Sequence, residues 1–473
     1  MLYITQFFPV KRRGELKRKG LTMKFSIGKK LVALAGSIAM LGAFAACGSS
    51  ESGPKDVSAD ANAKVTISVW AWEPTLKNVV TKFEKKYPNI KVKLNNVGTN
   101  LDAYTALNNA VDAGKGAPDV AQIEYYALPQ YAINGTLKDL SSMGAAKYRG
   151  FYTPGTWASV HWQSKLYGLP MDSGPMALFY NKAVFDKAGV TKVPTTWEEY
   201  YQAAKKIRAV GSYITSDSGD AGFFDSMVWS AGGHPYKTST DGKTVSISLT
   251  KNAGTKEFVK WWQKMIDEGL INTKVKGWTD DWNRGLGDGS IASLMTGAWM
   301  PATLVGSAPQ ATGKWRVAQM PTKDGNTANA ENGGSTLSVL SSSDKATAAY
   351  KFIEYANHDA EGIKTRVDGG AFPADNNTLK SDSFLSVKTV KNSAGKDIEY
   401  FGGQEYNREL AKAASRVLTG YENLPFEVYA RKIFADSAGG AYTDKSITLS
   451  KGIANWQAKL IEYGKQQGFT MGE

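Results

Sequence analysis

The sequence predicts an α/β fold divided into two lobes. Three observations carry that expectation. The 473 residues are 42% hydrophobic and 11% aromatic, enough to fill two separate cores. From residue 64 to 123, strand and helix signals alternate, the pattern of an open, largely parallel sheet. A second α/β section starts near Leu178, and no internal repeat at solenoid period relates the two.

In residues 64–70 (KVTISVW), Val65, Ile67 and Val69 alternate with polar neighbours, the period of a strand. Glu73 and Pro74 open a helix with Leu76, Val79, Val80 and Phe83 at helical spacing, closed by Tyr87 and Pro88. Ile90, Val92 and Leu94 mark a second strand. Asn100 is placed to cap a helix carrying Leu101, Tyr104, Leu107 and Val111, and residues 118–123 give a short third strand. In the second section, Thr196-Trp197-Glu198-Glu199 has the capping-box form, and its helix runs through Tyr200, Ala204 and Ile207. Further helices are expected at 256–268, 348–356, 405–417 and 453–463.

The formal charge is +13, but residues 1–46 hold nine Lys or Arg against the single acid Glu15. The remainder carries +5, which gives little support for nucleic-acid binding. Met23 and Lys24 begin a basic region ending at Lys29-Lys30, and an apolar stretch of about 16 residues follows, which suits a signal peptide better than a membrane span. Met23 is therefore the expected start, and residues 1–46 the expected signal. Phe44-Ala45-Ala46-Cys47-Gly48 resembles a lipobox, with Phe44 where Leu is preferred, so Cys47 is the expected lipid-bearing residue. Residues 47–63 are small and polar and read as a flexible tether. Cys47 is the only cysteine, which excludes an internal disulfide. His161, His234 and His358 have no metal-ligand spacing, and Gly285, Gly287 and Gly289 follow neither a dinucleotide nor a P-loop pattern. No metal or cofactor is expected.

Six blocks occur in an order that resembles the family 1 extracellular solute-binding proteins of ABC sugar importers. They are VTISVWAWEP with the following helix and strand, GAPDVAQIEYYALPQYAINGTLKDLSSM, KLYGLPMDSGPMALFYNKAVFDKAGVTKVPTTWEEYYQAAKKI, WSAGGHPY, GSIASLMTGAWM, and VAQMPTKDGNTANAENGGSTLSVLSSSDKATAAYKFIEYANHD. Together they span most of residues 64–380, and the tail fits more loosely. The resemblance implies a type II periplasmic-binding-protein-like fold with ligand in the interlobe cleft. Crossovers are then expected near residues 172–175, 331–335 and 381–387. The N-terminal lobe would comprise 64–172 and 336–383, and the C-terminal lobe 176–330 and 388–473. The implied protein is a monomeric, lipid-anchored binder on the extracellular face of the membrane. It would bind a carbohydrate, an oligosaccharide in particular, and pass it to the permease subunits of an ABC importer. No catalytic activity is expected.

A sugar offers an apolar C–H face for stacking and a rim of hydroxyls for hydrogen bonds, so Trp and Tyr flanked by acids or amides are the candidate ligands. Trp72 and Glu73 follow the first strand, and Glu124 and Tyr125 follow the third, at the carboxyl ends where open α/β sheets hold ligands. The matching family positions add Asp172 on the first crossover, Trp229 before Ala231-Gly232-Gly233, and Trp299 in Gly297-Ala298-Trp299. Gly333 and Gly334 would allow close backbone approach at the second crossover. Trp278 and Trp282 fit either a subsite in an extended cleft or helix packing, whereas Trp70, Trp157, Trp162, Trp197, Trp261, Trp262, Trp315 and Trp456 are assigned to structure. Two other readings stay open. A secreted glycoside hydrolase would need two carboxylates at a fixed separation, such as Glu124 and Asp172. The same binding fold could instead take a peptide, a polyamine or a metal.

Overall fold

The computed structural model describes residues 55–60, 62–392 and 394–472. The expected signal peptide, Cys47 and the first part of the tether lie outside the described residues.

The N-terminal lobe grows from the predicted alternation. Strand β1 (Val65–Trp70) pairs in parallel with β2 (Ile90–Asn95) and with β3 (Val120–Glu124). Helix α1 (Leu76–Lys86) buries Leu76, Val79 and Phe83, one turn apart on one face. Helix α2 (Asn100–Asp112) buries Ala103, Tyr104 and Leu107, but its N-cap is Thr99 rather than Asn100, and no side chain bonds the cap. The sheet is less parallel than expected. Its last two members, Ser335–Val339 and Leu169–Pro170, join antiparallel, with Ser335 opposite Glu124. The reason is topological: Ser335–Val339 enters from the second crossover, at the end where β3 finishes, and so must run the opposite way.

In the C-terminal lobe, Met176–Asn181 lies between antiparallel partners Ser293–Gly297 and Trp315–Gln319. Its residues face alternately into two cores. Met176 and Leu178 join a cluster with Trp197, Phe224, Phe258, Phe434 and Trp456, and Ala177 and Phe179 join another with Trp282, Trp315 and Phe401. A strand with both faces buried reads as the continuous apolar run MALF. Thr196 caps Trp197–Ala209 by accepting from Glu199 N at 3.0 Å, while the Glu199 carboxylate turns back one residue further than a capping box requires, to Thr195 N at 2.7 Å.

The two crossovers pair with each other. Asn332 N donates to Gly174 O at 2.7 Å, Met176 N to Ala330 O at 3.1 Å, and Met171 N to Ser335 O at 2.9 Å. A Cβ at Gly174 would sit 2.4 Å from Asn332 O, so this approach requires glycine. The third passage between lobes begins upstream of the expected 381–387. Ala374 packs in the N-terminal core, but Phe372 and Leu379 already join Phe384 in the C-terminal one.

The expected tether is not free over its whole length. Asp56 Oδ2 accepts from Thr347 N at 2.8 Å and from Thr347 Oγ1 at 2.7 Å, and Ser58 Oγ accepts from Ala348 N at 3.0 Å. These are first-turn groups of helix Ala346–Asn357, whose own cap residue Lys345 makes no side-chain cap bond. The small polar residues that made the stretch look like a linker are the acceptors that a helix N-terminus lacks.

Candidate functional site

A cavity of about 360 Å³ lies between the lobes, and it takes Tyr125, Trp229 and Gly333 from the expected site residues. A larger groove of about 720 Å³, between helix Ala360–Asp368 and the Ala298–Pro301 region, takes none of them.

From the N-terminal lobe, β3 delivers Glu124 and the two tyrosines after it. The Glu124 carboxylate accepts from Tyr104 Oη at 3.2 Å, and its amide donates to the same hydroxyl at 2.9 Å. Burial pushes the Glu124 carboxyl up to about 7, although the Arg431 charge across the cleft pulls the other way. Tyr125 Oη donates to Asp172 O at 2.6 Å, which ties the end of β3 to the first crossover. Gly334, at φ +91°, lies under the Tyr125 ring, where a Cβ would come within 2.6 Å of it.

From the C-terminal lobe, helix Ala221–Ser230 presents Asp225 and Ser226, and helix Glu427–Thr443 presents Arg431. Arg431 reaches across the gap. Its guanidinium lies 3.6 Å from the centroid of the Tyr126 ring, a cation–π contact between lobes. Behind it stand Glu427 at 3.4 Å and Asp225 at 3.8 Å. Asp225 also accepts from Tyr236 Oη at 3.1 Å and Tyr421 Oη at 3.2 Å. Burial, and then the Glu427 charge, hold the Asp225 carboxyl well above the ordinary range. Trp229 lines the wall with its ring stacked on Tyr421 at 4.8 Å and its N–H donated to Leu418 O at 3.0 Å.

The crossovers form the floor. Asp172 Oδ1 accepts from Ser335 N at 2.6 Å. Glu331 accepts from Ser173 Oγ at 2.9 Å and from Gly174 N. Each crossover thus carries a carboxylate that holds the backbone of the other. Burial raises Asp172 to about 6 against the Arg366 charge, and raises Glu331 to about 7 against the Gly174 N–H. Trp299 is half-buried beside this floor, its Nε1 donating to Asn332 O at 2.8 Å.

Trp72 and Glu73 do not line this cavity. Trp72 packs edge-on to Tyr104 at 6.3 Å in a separate small pocket, and the Glu73 carboxylate accepts from Thr75 Oγ1 at 2.6 Å. Gln122 Oε1 holds both their amides at 3.0 Å, which fixes the loop in that position. The sequence patterns do not single out Tyr126, Asp225, Glu331 or Arg431 as ligand contacts. Asp225 had a usable signal, since it sits one helical turn before Trp229 and so shares its face. Arg431 had none, because it lies in the tail where the block pattern fades.

Among the described residues, no three His, Cys, Asp or Glu side chains cluster as a metal site, and no helix is long and apolar enough to cross a membrane.

Residues 71–362 match the bacterial extracellular solute-binding protein family. Among solved structures, the ABC transporter associated binding protein from B. animalis subsp. lactis Bl-04, in complex with β-1,6-galactobiose, is 60% identical and covers 87% of this chain and 100% of its own, with a TM-score of 0.79. The galacto-N-biose-/lacto-N-biose I-binding protein of Bifidobacterium longum is 26% identical over 87% of this chain and 100% of its own, with a TM-score of 0.74. The lactose-binding protein of Rhizobium radiobacter is 25% identical over 72% of this chain and 79% of its own length. With the match running through both crossovers and most of the cavity wall, this chain belongs to the bacterial extracellular solute-binding proteins.

Proposed function

We propose that the chain captures a short β-linked galacto-oligosaccharide, with a β-1,6-galactobiose unit in the cavity, and passes it to the permease of an ABC importer. The cavity carries this reading. Aromatic faces at Tyr126, Trp229 and Tyr421 meet charged hydrogen-bonding groups at Arg431 and Asp225, the combination that a sugar ring and its hydroxyls require. The 60% identity to a galactobiose-bound relative supports the choice of sugar. Ligand entering the cleft would take the place of the contact between Arg431 and the Tyr126 ring, and Trp299, Glu124 and Tyr125 are the further proposed contacts.

Titration calorimetry with β-1,6-galactobiose, lacto-N-biose, lactose and maltose tests this. Tightest binding of galactobiose is expected, together with a smaller radius of gyration in solution scattering. No heat with any of the four would reject the reading. A hydrolase reading would pair Glu124 with Asp172, but Asp172 already serves the Ser335 amide in the crossover, and release of galactose is not expected. For localisation, the proposal is diacylation at Cys47 of a monomeric protein on the extracellular face. A single acyl chain binds membranes only marginally. Cys47→Ala should release the protein into the medium, and an unmodified Cys47 in the mature wild type would overturn the anchor.

A further inference from the structure

Trp278 and Trp282 are four residues apart, yet the fold treats them differently. Trp282 is 4% exposed and sits in the core beside Trp315 and Leu286. Trp278 is 63% exposed, the most exposed large apolar side chain among the described residues. Its backbone is also unusual, with φ at +68°, a left-handed conformation that a bulky residue rarely adopts. Such conformations persist where the surroundings over-determine them, and they gather at ligand clamps.

The loop around Trp278 is pinned at both ends. Asn272 Oδ1 accepts from Lys274 N and Val275 N at 3.1 and 3.2 Å. Thr279 Oγ1 donates to Lys276 O at 2.7 Å and accepts from Trp282 N at 3.3 Å, starting helix Asp280–Asp288. The position of the Trp278 ring is therefore set by the loop, not by burial. That ring lies 5.2 Å from Trp282 at 40° and 5.5 Å from Trp299 at 31°, leaving most of its surface to solvent. Trp299 in turn adjoins the cavity. Its Nε1 bonds Asn332 O, and a Cβ on the cavity-lining Gly333 would fall 2.9 Å from that nitrogen.

Two indoles thus form a continuous aromatic strip from the cavity floor to the protein surface. We propose that Trp278 is an outlying sugar platform, taking the apolar face of a unit beyond those in the cavity and selecting for oligosaccharides longer than a disaccharide. This rests on the carbohydrate reading above and adds chain length to it. Packing alone does not account for Trp278, because Trp282 is already covered and the surface the loop displays is aromatic, flat and solvent-facing.

The test is titration of wild type and Trp278→Ala with β-1,6-linked galactobiose, galactotriose and galactotetraose, with a melt of each ligand-free protein. Wild type should bind the longer sugars more tightly than the disaccharide. In the variant, affinity for the longer sugars should fall roughly threefold to tenfold, the range of an aromatic stack, while galactobiose binding stays the same. Trp278→Phe should recover part of the loss. In wild type, galactotetraose should shield Trp278 from acrylamide quenching, and galactobiose should not. Equal affinities of wild type and variant at every length would overturn the platform, with or without a lower melting temperature. An equal loss at every length would overturn its outlying position. If wild type binds none of the three sugars, the galacto-oligosaccharide reading fails first and the platform with it, an outcome distinct from the other two.

Discussion

The lobes meet at the crossovers and across the cleft, and the two contacts differ in kind. At the crossovers, Asp172 and Glu331 each accept backbone or hydroxyl donors from the opposite strand, and Asn332 N bonds Gly174 O. These bonds lie within the crossover pair and do not span the cleft. Across the cleft, Arg431 touches Tyr126 only through the face of a ring, and its ion-pair partners, Asp225 and Glu427, are on its own lobe. A ring face holds no fixed hydrogen bond, so a sugar can take its place without leaving a donor orphaned. The crossover contact is hydrogen-bonded backbone, and the cleft contact is a cation on a ring face.

Arg431→Ala should produce the largest effect. It removes the cation beside two carboxylates that are buried in the C-terminal lobe, and losing one partner of such a group costs about 3 kcal/mol. Chemical denaturation should show that loss, and sugar affinity should fall with it. Stability equal to wild type would mean that Asp225 and Glu427 do not depend on the arginine. Arg431→Lys keeps the charge but loses the flat stack, so it should retain more stability than affinity.

Trp299 joins the two regions, since its N–H serves the crossover and its ring lies beside the cavity-lining Gly333. Trp299→Ala should weaken galactobiose binding at least about tenfold. Its cost to the ligand-free protein should be well below that of the fully buried Trp315→Ala, about 3–5 kcal/mol. Normal affinity with a much earlier melt would place Trp299 in the core and remove it from the site.

The hinge carboxylates make a pH prediction. Burial lifts Asp172 from 3.8 to about 6 and Glu331 from 4.5 to about 7, so between those values the folded state binds more protons than the unfolded. Their contribution favours folding at the acid end and is lost as pH rises through 6 to 7. Glu331→Gln should flatten that part of the stability–pH curve, because the amide cannot titrate. An unchanged slope in the variant would mean that Glu331 titrates normally. The smallest effect is expected far from both regions: Asp56→Ala should cost about 1 kcal/mol as a lost helix cap and leave affinity alone. A change in affinity there would show that the N-terminal arm communicates with the cleft.

Much of the fold was legible because it is local. Strand β1 announces itself by the alternation of Val65, Ile67 and Val69, and α1 by Leu76, Val79 and Phe83 at one-turn spacing. The candidate site was legible only in part. Tyr125, Trp229 and Gly333 reach the cavity, whereas Trp72 and Glu73 follow a strand just as Tyr125 does and do not line it, their amides bonded to Gln122. Position after a strand says which end of the sheet a side chain occupies, not which neighbour captures it.

The sequence by itself determined the alternating elements, the ordered family blocks and the supply of aromatic and acidic side chains, because periodicity and motif order are properties of the chain alone. Only the tertiary structure decided that Arg431 crosses to Tyr126, more than 300 residues away in the chain, that Trp278 stays outside while Trp282 is buried, and that Asp56 caps a helix beginning at Ala346. Each of these depends on the distance between segments remote in sequence, and that distance is set by how two lobes pack, which no local pattern encodes.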